Sequence, residues 1–137
     1  MPVFLLILSL LFLTACFDPE PPKPLKNTYW SLIELNEEDS ENADQQPAAH
    51  LVFHINDNSL HGSDGCNHIQ GRYIQGSGSF VFKNIVSTRM VCQGGMAQAA
   101  AFQRALNQTD RLKIEEDQLI LYHEERKIAR FEGKEDY

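Results

Sequence analysis

The sequence predicts a small α+β domain, in which a curled, open-barrel-like antiparallel sheet of short strands is accompanied by one helix. Short segments of alternating apolar and polar residues recur along the chain, with turn-forming residues between them. Most links between these segments are only long enough for hairpins, which makes the sheet antiparallel. One stretch has the composition and spacing of a helix. The length and apolar content suffice for a single modest core.

Seven strands follow from the alternation and from the turn residues that bound it. They are predicted at residues 29–35, 50–56, 59–62, 79–83, 111–115, 118–122 and 127–131. A polar loop is expected over residues 36–47. The glycines within residues 65–74 predict bends or close backbone approach there, rather than a flat strand.

The hairpin between the second and third strands has a predicted register. Residues 57–58 are Asp-Asn, a two-residue turn of the kind that closes hairpins. This turn pairs Ile55 with Leu60 on the buried face. It also pairs His54 with His61 on the exposed face.

The helix is predicted over residues 96–106, which are rich in Ala, Gln, Met and Leu. Met96, Ala99, Phe102 and Leu106 recur at helical spacing and form one apolar stripe. Such a stripe is more typical of a core than of a cofactor surface.

The first sixteen residues predict where the protein is located. They read MPVFLLILSLLFLTAC, and the apolar run is shorter than the roughly 20 residues of a transmembrane helix. The ending, Leu-Thr-Ala-Cys, resembles the lipobox of bacterial lipoproteins. This resemblance implies that residues 1–15 are a signal peptide and that Cys16 is diacylated. Residues 16–26, rich in proline, then form a tether, and residues 27–137 form the domain.

The partner expected from this resemblance is a membrane, bound through the N-terminal lipid. In enterobacterial sorting, an Asp directly after the lipidated cysteine retains a lipoprotein at the inner membrane. Phe17 occupies that position here, which favours the periplasmic face of the outer membrane. A net charge of -7 argues against a nucleic-acid partner, because phosphate binding needs clustered Lys and Arg.

The remaining two cysteines are predicted to pair. If Cys16 carries lipid, then Cys66 and Cys92 are left in an oxidising compartment, where such a pair usually forms a disulfide. Closing a loop of about 27 residues stabilises a domain by roughly 3.5 kcal/mol in the chain-entropy model. The alternative is a metal or redox site, although no Cys-x-x-Cys motif is present.

Two motifs resemble the signatures of the META domain family, which includes the bacterial heat-shock protein HslJ. Residues 62–73 match Gly-x-x-Gly-Cys-Asn-x-x-x-Gly-x-Tyr, and residues 87–92 match Ser-Thr-x-Met-x-Cys. Trp30 matches the family's first strand, and residues 102–106 match Phe-x-x-Ala-Leu. Ala99 departs from the family, since many members carry Glu there. Besides the two cysteines, the motif residues are Gly65, Asn67, Gly71, Tyr73, Ser87, Thr88 and Met90.

The resemblance implies a small α+β fold, a disulfide between Cys66 and Cys92, and an envelope location, often with a lipid anchor. Members are linked in general terms to heat shock, drug tolerance, motility or secretion. The resemblance to this family implies no enzymatic activity. The motif residues also have a structural interpretation, in which the glycines permit turns and bulges and the polar side chains bond local backbone. The alternative interpretation is a binding site at the bridge.

The histidines are candidates for a metal site. His54 and His61 are the candidates, because the predicted hairpin makes them neighbours. His50 lies farther along the same face, and Asp64 and His68 follow in the next loop. Neutral imidazoles of such a cluster could bind zinc or copper. The alternative is a solvated polar face, and no metal or cofactor is assigned.

Catalysis is not predicted. Ser87, His68 and Asp64 supply the residue types of a triad, but nothing in the sequence places them together, and no nucleophile-elbow pattern surrounds a serine. No phosphate loop or dinucleotide fingerprint is present.

Two functions remain. The first is a non-catalytic interaction or stress-tolerance module that is anchored in the envelope and binds another envelope protein. The second is a binder of a lipid or a small hydrophobic ligand inside the curled sheet. The residues that suggest the second are Trp30, Phe53, Tyr73, Phe80, Phe82 and Phe102, although a closed core explains them equally well.

Overall fold

Nine strands and one helix form the part of the chain that the computed structural model describes, residues 18–40 and 48–135. The predicted signal peptide and Cys16 lie outside the described residues. The elements are β1 (Tyr29–Leu35), β2 (Glu38–Asp39), β3 (His50–Phe53), β4 (Ser59–Ser63), β5 (His68–Gly76), β6 (Ser79–Ser87), α1 (Met96–Gln108), β7 (Arg111–Glu115), β8 (Gln118–His123) and β9 (Arg126–Lys134).

The strands form one antiparallel sheet in the order β6-β5-β4-β3-β1-β9-β8-β7, with β2 beside β1. The sheet curls until its two ends approach each other, where the Phe80 N–H donates to the Asp110 carbonyl at 2.9 Å. The helix α1 connects these two ends. The predicted curled antiparallel sheet with one helix is therefore confirmed. Within the described ranges, no helix has the length and apolar character needed to cross a membrane.

The core fills the inside of the curl. Phe53 is central, and its ring lies 5.3 Å from that of Tyr73, 6.1 Å from Phe80 and 6.3 Å from Phe82, measured between centroids. The apolar stripe of α1 packs on this core through Ala99, Phe102 and Leu106, as predicted. Met96, the fourth predicted residue of the stripe, is instead half exposed because it begins the helix.

The predicted register of the β3–β4 hairpin is wrong. Phe53 pairs with Leu60 and Val52 pairs with His61, so the connection covers residues 54–58 rather than 57–58. The register shift of two residues keeps the same side chains facing the core, which is why the alternation pattern did not reveal it. Ile55, predicted to be buried, is 62% exposed in this connection.

Local bonds explain the longer connection. The Asp57 carboxylate accepts the backbone N–H of Ser59 at 2.9 Å, which forms an Asx turn. Lys26 donates to the Asp57 carbonyl at 3.0 Å and also lies beside Phe53 in an isolated bridge. The bonds of the N-terminal segment thus fix the position of the end of β3. A two-residue turn would place this end differently.

Two other predictions need correction. The polar loop over residues 36–47 contains β2, because Asn36 and Glu37 both adopt positive φ and form a tight hairpin turn. Residues 65–74 contain most of β5, a continuous strand with a register shift between Gln70 and Arg72. The last three strands lie where they were predicted, although β9 extends to Lys134.

The β3–β4 hairpin has two ends, which we call the tether side and the bridge side. On the tether side, the N-terminal segment is fastened to the domain by bonds from Lys23 N–H to the Glu116 carbonyl and from Asn27 N–H to the Phe53 carbonyl. On the bridge side, Cys66 lies between β4 and β5. The five residues of β4 separate the two sides by about 17 Å.

Candidate functional site

The bridge side is built around a disulfide. Cys66 and Cys92 are joined with an S–S distance of 2.01 Å, which links the β4–β5 connection to the segment that precedes α1. The disulfide prediction is therefore confirmed in the structure. The Cys66 Sγ lies 3.6 Å from the Met90 carbonyl oxygen and 4.0 Å from the Met96 Sδ.

A fully buried carboxylate organises the loop that carries Cys66. Asp64 accepts the backbone N–H groups of Cys66 and Asn67 at 2.9 and 2.6 Å, again as an Asx turn. Its other oxygen accepts from the Asn67 side-chain amide at 3.1 Å and from Gln103 Nε2 at 2.6 Å. Four bonds thus compensate the burial of this group, and one of them reaches α1.

The segment of the second motif is bonded to the same loop. The Asn67 Oδ1 accepts the Met90 N–H at 2.8 Å. Thr88 Oγ1 accepts the His68 N–H at 3.0 Å, and the Thr88 N–H donates to the His68 carbonyl at 3.1 Å. Ser87 Oγ donates to Gln103 at a longer 3.5 Å. We call the set of Asp64, Cys66, Asn67, Thr88, Met90, Cys92 and Gln103 the bridge cluster.

The other motif residues lie along the strand that leaves this cluster. Gly65 has a φ of +93°, a conformation that only glycine adopts without strain. Gly71 faces Ile85 so closely that a Cβ would overlap it. Tyr73 is buried and stacks on Phe80 with 5.0 Å between centroids, while its hydroxyl has no hydrogen-bond partner within the described residues.

Ser87, His68 and Asp64 have the residue types of a catalytic triad and lie near one another, but their hydrogen bonds are not those of a triad. The oxygens of Asp64 accept from the backbone, from Asn67 and from Gln103. Ser87 is bonded to Gln103 rather than to His68. His68 reaches this region through its backbone, which pairs with Thr88.

On the tether side, the structure places His54 and His61 in contact. The His54 Nε2 lies 2.7 Å from the His61 Nδ1. The His54 Nδ1 lies 2.6 Å from the Ser59 Oγ, and this hydroxyl lies 2.5 Å from the Asp57 Oδ1. The two histidines are neighbours, as predicted, but the loop residue His54 folds over β4 instead of pairing across the hairpin.

The direction of these bonds follows from the carboxylate. The Asp57 carboxylate can only accept, so the Ser59 hydroxyl donates to it and must accept from the His54 Nδ1–H. The Nε2 of neutral His54 then accepts from the His61 Nδ1–H. Only one hydrogen fits between these two ring nitrogens, so a second hydrogen there would break the contact between the rings.

The pKa of two histidines on this face is lowered. For His61 the main cause is burial, followed by the nearby charges of His54 and His50. For His50 the main cause is also burial, opposed by a bond from its Nδ1 to the Ala48 carbonyl and supplemented by the charge of His68. The His50 ring stacks on Tyr29 with centroids 4.5 Å apart.

The described residues offer no set of ligands for the metal site considered at the histidines. Within residues 18–40 and 48–135, no group of three or more His, Cys, Asp or Glu side chains is arranged to hold a metal ion. His54 and His61 bond to each other, as described above.

An open depression of about 480 Å³ lies next to the histidine pair. Its walls are formed by β4, by β5 and by β6, and its lining residues are His54, Ser59, Leu60, His61, Gln70, Gly71, Arg72, Asn84 and Val86. No Asp or Glu lines it, although the chain as a whole is acidic. We call it the basic depression.

Sequence reasoning missed several residues that matter at both sites. Gln103 was assigned only to the helix, and its bond to Asp64 depends on tertiary structure. The Asp-x-Ser pattern at residues 57–59 was a detectable signal for an Asx turn. Arg72 was treated as part of a motif, whereas it faces the basic depression.

Comparison with known proteins assigns the fold and the family. The META domain model matches residues 23–136. A protein from Burkholderia xenovorans with an NMR structure is similar at 24% identity and a TM-score of 0.68, covering 87% of this chain and 93% of its own. A second NMR structure is similar at 18% identity and a TM-score of 0.63, covering 78% and 90%. No curated protein matches the chain. With both motifs joined in one cluster and the family model spanning the whole sheet, the chain belongs to the META domain family.

Proposed function

We propose that this META-domain chain is a lipid-anchored protein of the bacterial cell envelope that acts as a non-catalytic interaction module. Its signal peptide would end at residue 15 and its lipid would sit on Cys16, with the outer membrane favoured by Phe17. The proposed partner is an envelope protein with an exposed apolar segment, bound on the bridge side.

One observation carries this proposal, an apolar surface that the bridge cluster holds in place. Val91 is 98% exposed, and Met90 and Met96 are each about half exposed. The disulfide at Cys92 and the bond from Met90 N–H to Asn67 constrain this segment on both sides of Val91. Exposed apolar patches commonly mark interaction sites, and methionine adapts well to a partner's surface.

The position of this surface supports a protein partner rather than the anchoring membrane. The tether is bonded to the domain on the tether side, through Lys23 and Asn27. The surface around Val91 lies on the bridge side, at the far end of β4. A lipid on Cys16 would therefore leave Val91 on the side turned away from the bilayer.

Site-specific photocrosslinking from the native envelope tests this proposal. A photoreactive residue at Val91 is expected to give a discrete adduct in the lipidated protein. The same residue at Ile74, which is 59% exposed on β5, provides the matched control. Loss of the adduct when Met96→Asp is added to the photoreactive variant, with unfolding unchanged, would complete the evidence. Equal labelling from both positions would contradict a partner on the bridge side.

The anchor is tested separately. Intact-mass analysis of protein from the native host is expected to find diacylglycerol on Cys16 and cleavage after residue 15. The Cys16→Ala variant should lose both the acyl mass and membrane retention. An unmodified Cys16 would contradict the anchor while leaving the bridge-side surface to be judged by crosslinking.

A second candidate, a lipid or hydrophobic ligand inside the curl, has one observation in its favour. The buried Tyr73 hydroxyl has no partner within the described residues, and a ligand acceptor would satisfy it. The close ring contacts of Phe53 and Phe80 with Tyr73 favour a closed core instead. Native mass spectrometry should show the protein without bound lipid; a stoichiometric lipid that disappears in Tyr73→Phe would support this candidate.

A further inference from the structure

Arg72 lines the basic depression and makes no ion pair with any described residue there. Arg72 on β5 and Lys83 on β6 are direct cross-strand partners, and both are exposed, so Lys83 lies beside the depression. Two like charges directly opposite each other destabilise a sheet. The ion pairs among the described residues include neither side chain. The Asp57 carboxylate is near enough for the charge of Arg72 to help lower its pKa, but it is hydrogen-bonded to Ser59.

Irregularities in the backbones of β5 and β6 shape the basic depression. The register of β5 and β6 shifts between Gln70 and Arg72, at Gly71. On β6, Asn84 adopts a φ of +54°, which is uncommon for a residue other than glycine. Bulges of this kind redirect side chains and are frequent beside functional sites. The shift places Arg72, Gln70 and Asn84 around the same depression.

The other lining groups are mainly hydrogen-bond donors. The amides of Gln70 and Asn84 each offer two N–H donors, and the guanidinium of Arg72 offers up to five. A proton taken up by the His54–His61 pair adds a positive charge, and the contact between the rings persists as long as a single hydrogen lies between them. The resulting set has the character of an oxyanion site, in which Arg recognises phosphate in a fork-like geometry.

Several charged groups surround the histidine pair. Asp57 bonds to the Ser59 hydroxyl that contacts His54. The charge of His50 on β3 helps to lower the pKa of His61, and Arg72 on β5 lines the same depression. Lys26 from the N-terminal segment lies beyond Asp57, bonded to its carbonyl. Tyr29 on β1 stacks on His50 and completes this face.

We propose that the basic depression binds a phosphate-class oxyanion, with Arg72 as its principal ligand, Gln70 and Asn84 as further donors, and Lys83 as a neighbouring positive charge. Protonation of the His54–His61 pair strengthens binding at acidic pH. The anion is either a free phosphate or the phosphodiester of a lipid headgroup, which share this chemistry. This inference does not depend on the partner-binding surface proposed for the bridge side.

Calorimetric titration of the full-length chain in maltoside micelles tests the site. Sulfate is the first probe, since its charge is constant between pH 5.5 and pH 7.5, and inorganic phosphate is the second. We expect saturable binding that is about three- to tenfold tighter at the lower pH. In a separate arm without free anion, micelles containing phosphatidylglycerol are compared with micelles containing phosphatidylcholine. Binding of the anionic lipid alone would identify a headgroup as the source.

Matched variants assign the binding to this place. Arg72→Gln is expected to weaken binding by about tenfold or more, since a charged bidentate contact is lost. Arg126→Gln makes the same change of charge on the other half of the sheet, at the start of β9, and should bind as the parent does. His61→Asn should retain binding at pH 7.5 but remove most of its increase at pH 5.5.

Three results would overturn the proposal. The first is the absence of saturable binding of sulfate, phosphate or phosphatidylglycerol at either pH. The second is an equal loss of affinity in Arg72→Gln and Arg126→Gln, which would indicate a general charge effect. The third is Arg72→Gln binding as tightly as the parent. Circular dichroism of each variant establishes that it is folded, and Lys83→Gln provides a second, milder loss of charge at the same site.

Discussion

The bridge cluster and the basic depression lie toward opposite ends of one hairpin and differ in how many of their polar groups are hydrogen-bonded within the domain. At the bridge, the buried carboxylate of Asp64 has four donors, and Asn67 is bonded through both ends of its amide. At the basic depression, Arg72 lies opposite Lys83, and the ion pairs of residues 18–40 and 48–135 include neither side chain. The bridge residues therefore stabilise the fold, whereas the depression keeps its hydrogen-bonding capacity for something outside the domain.

Removal of the disulfide should give the largest loss of stability. The double variant Cys66→Ala/Cys92→Ala is expected to lose about 3.5 kcal/mol, because the bridge closes a loop over a sequence separation of 26. Urea unfolding of the parent and the double variant measures the difference. Dithiothreitol should destabilise the parent alone. A loss below about 1 kcal/mol would show that hydrogen bonds alone hold the bridge side together.

Asp64→Ala should be almost as damaging, at about 3 kcal/mol, because it leaves buried donors from Asn67 and Gln103 without an acceptor. Asp39→Ala is the matched control, since Asp39 is exposed on β2 and its loss should change stability by less than about 0.5 kcal/mol. Equal effects in the same urea experiment would mean that the bonds of Asp64 stabilise the fold no more than an exposed carboxylate does.

The stability of the domain should respond to pH through His61 and His50. The lowered pKa of His61 and of His50 means that the unfolded chain takes up protons first as the pH falls through about 6.5, the ordinary value. Stability should therefore decrease below that pH and level off once the folded protein is protonated as well. Unfolding midpoints between pH 8 and pH 5 measure this slope. His61→Asn should flatten it, and an unchanged slope would exclude His61 as its source.

Lys83→Glu should give the smallest effect and the opposite sign. It places a carboxylate opposite Arg72 and is expected to raise stability by about 0.5 kcal/mol, because a repulsive cross-strand pair becomes attractive. The gain should diminish in 1 M salt, where surface charges are screened. A destabilised Lys83→Glu would mean that Lys83 already has a favourable environment within the domain.

The sequence predicted the fold well, since alternation is a local property. The strand over residues 29–35 and the last two hairpins were placed correctly, because turn residues bound them closely. The register of the β3–β4 hairpin was not, because a shift of two residues preserves every inward-facing side chain. The sequence correctly predicted that His54 and His61 are neighbours. The contact is made by the loop residue His54, however, and not by the predicted cross-strand pairing.

The sequence by itself determined the curled sheet, the single helix and the family, since these depend on periodicity, turn residues and two short motifs. Only the tertiary structure decided which polar groups bond to one another. Gln103 reaches Asp64 across 39 positions, and Val86 lies opposite Gln70 only after a bulge has shifted the register. Such distances in space are set by packing of the whole sheet, and no local pattern of residues encodes them.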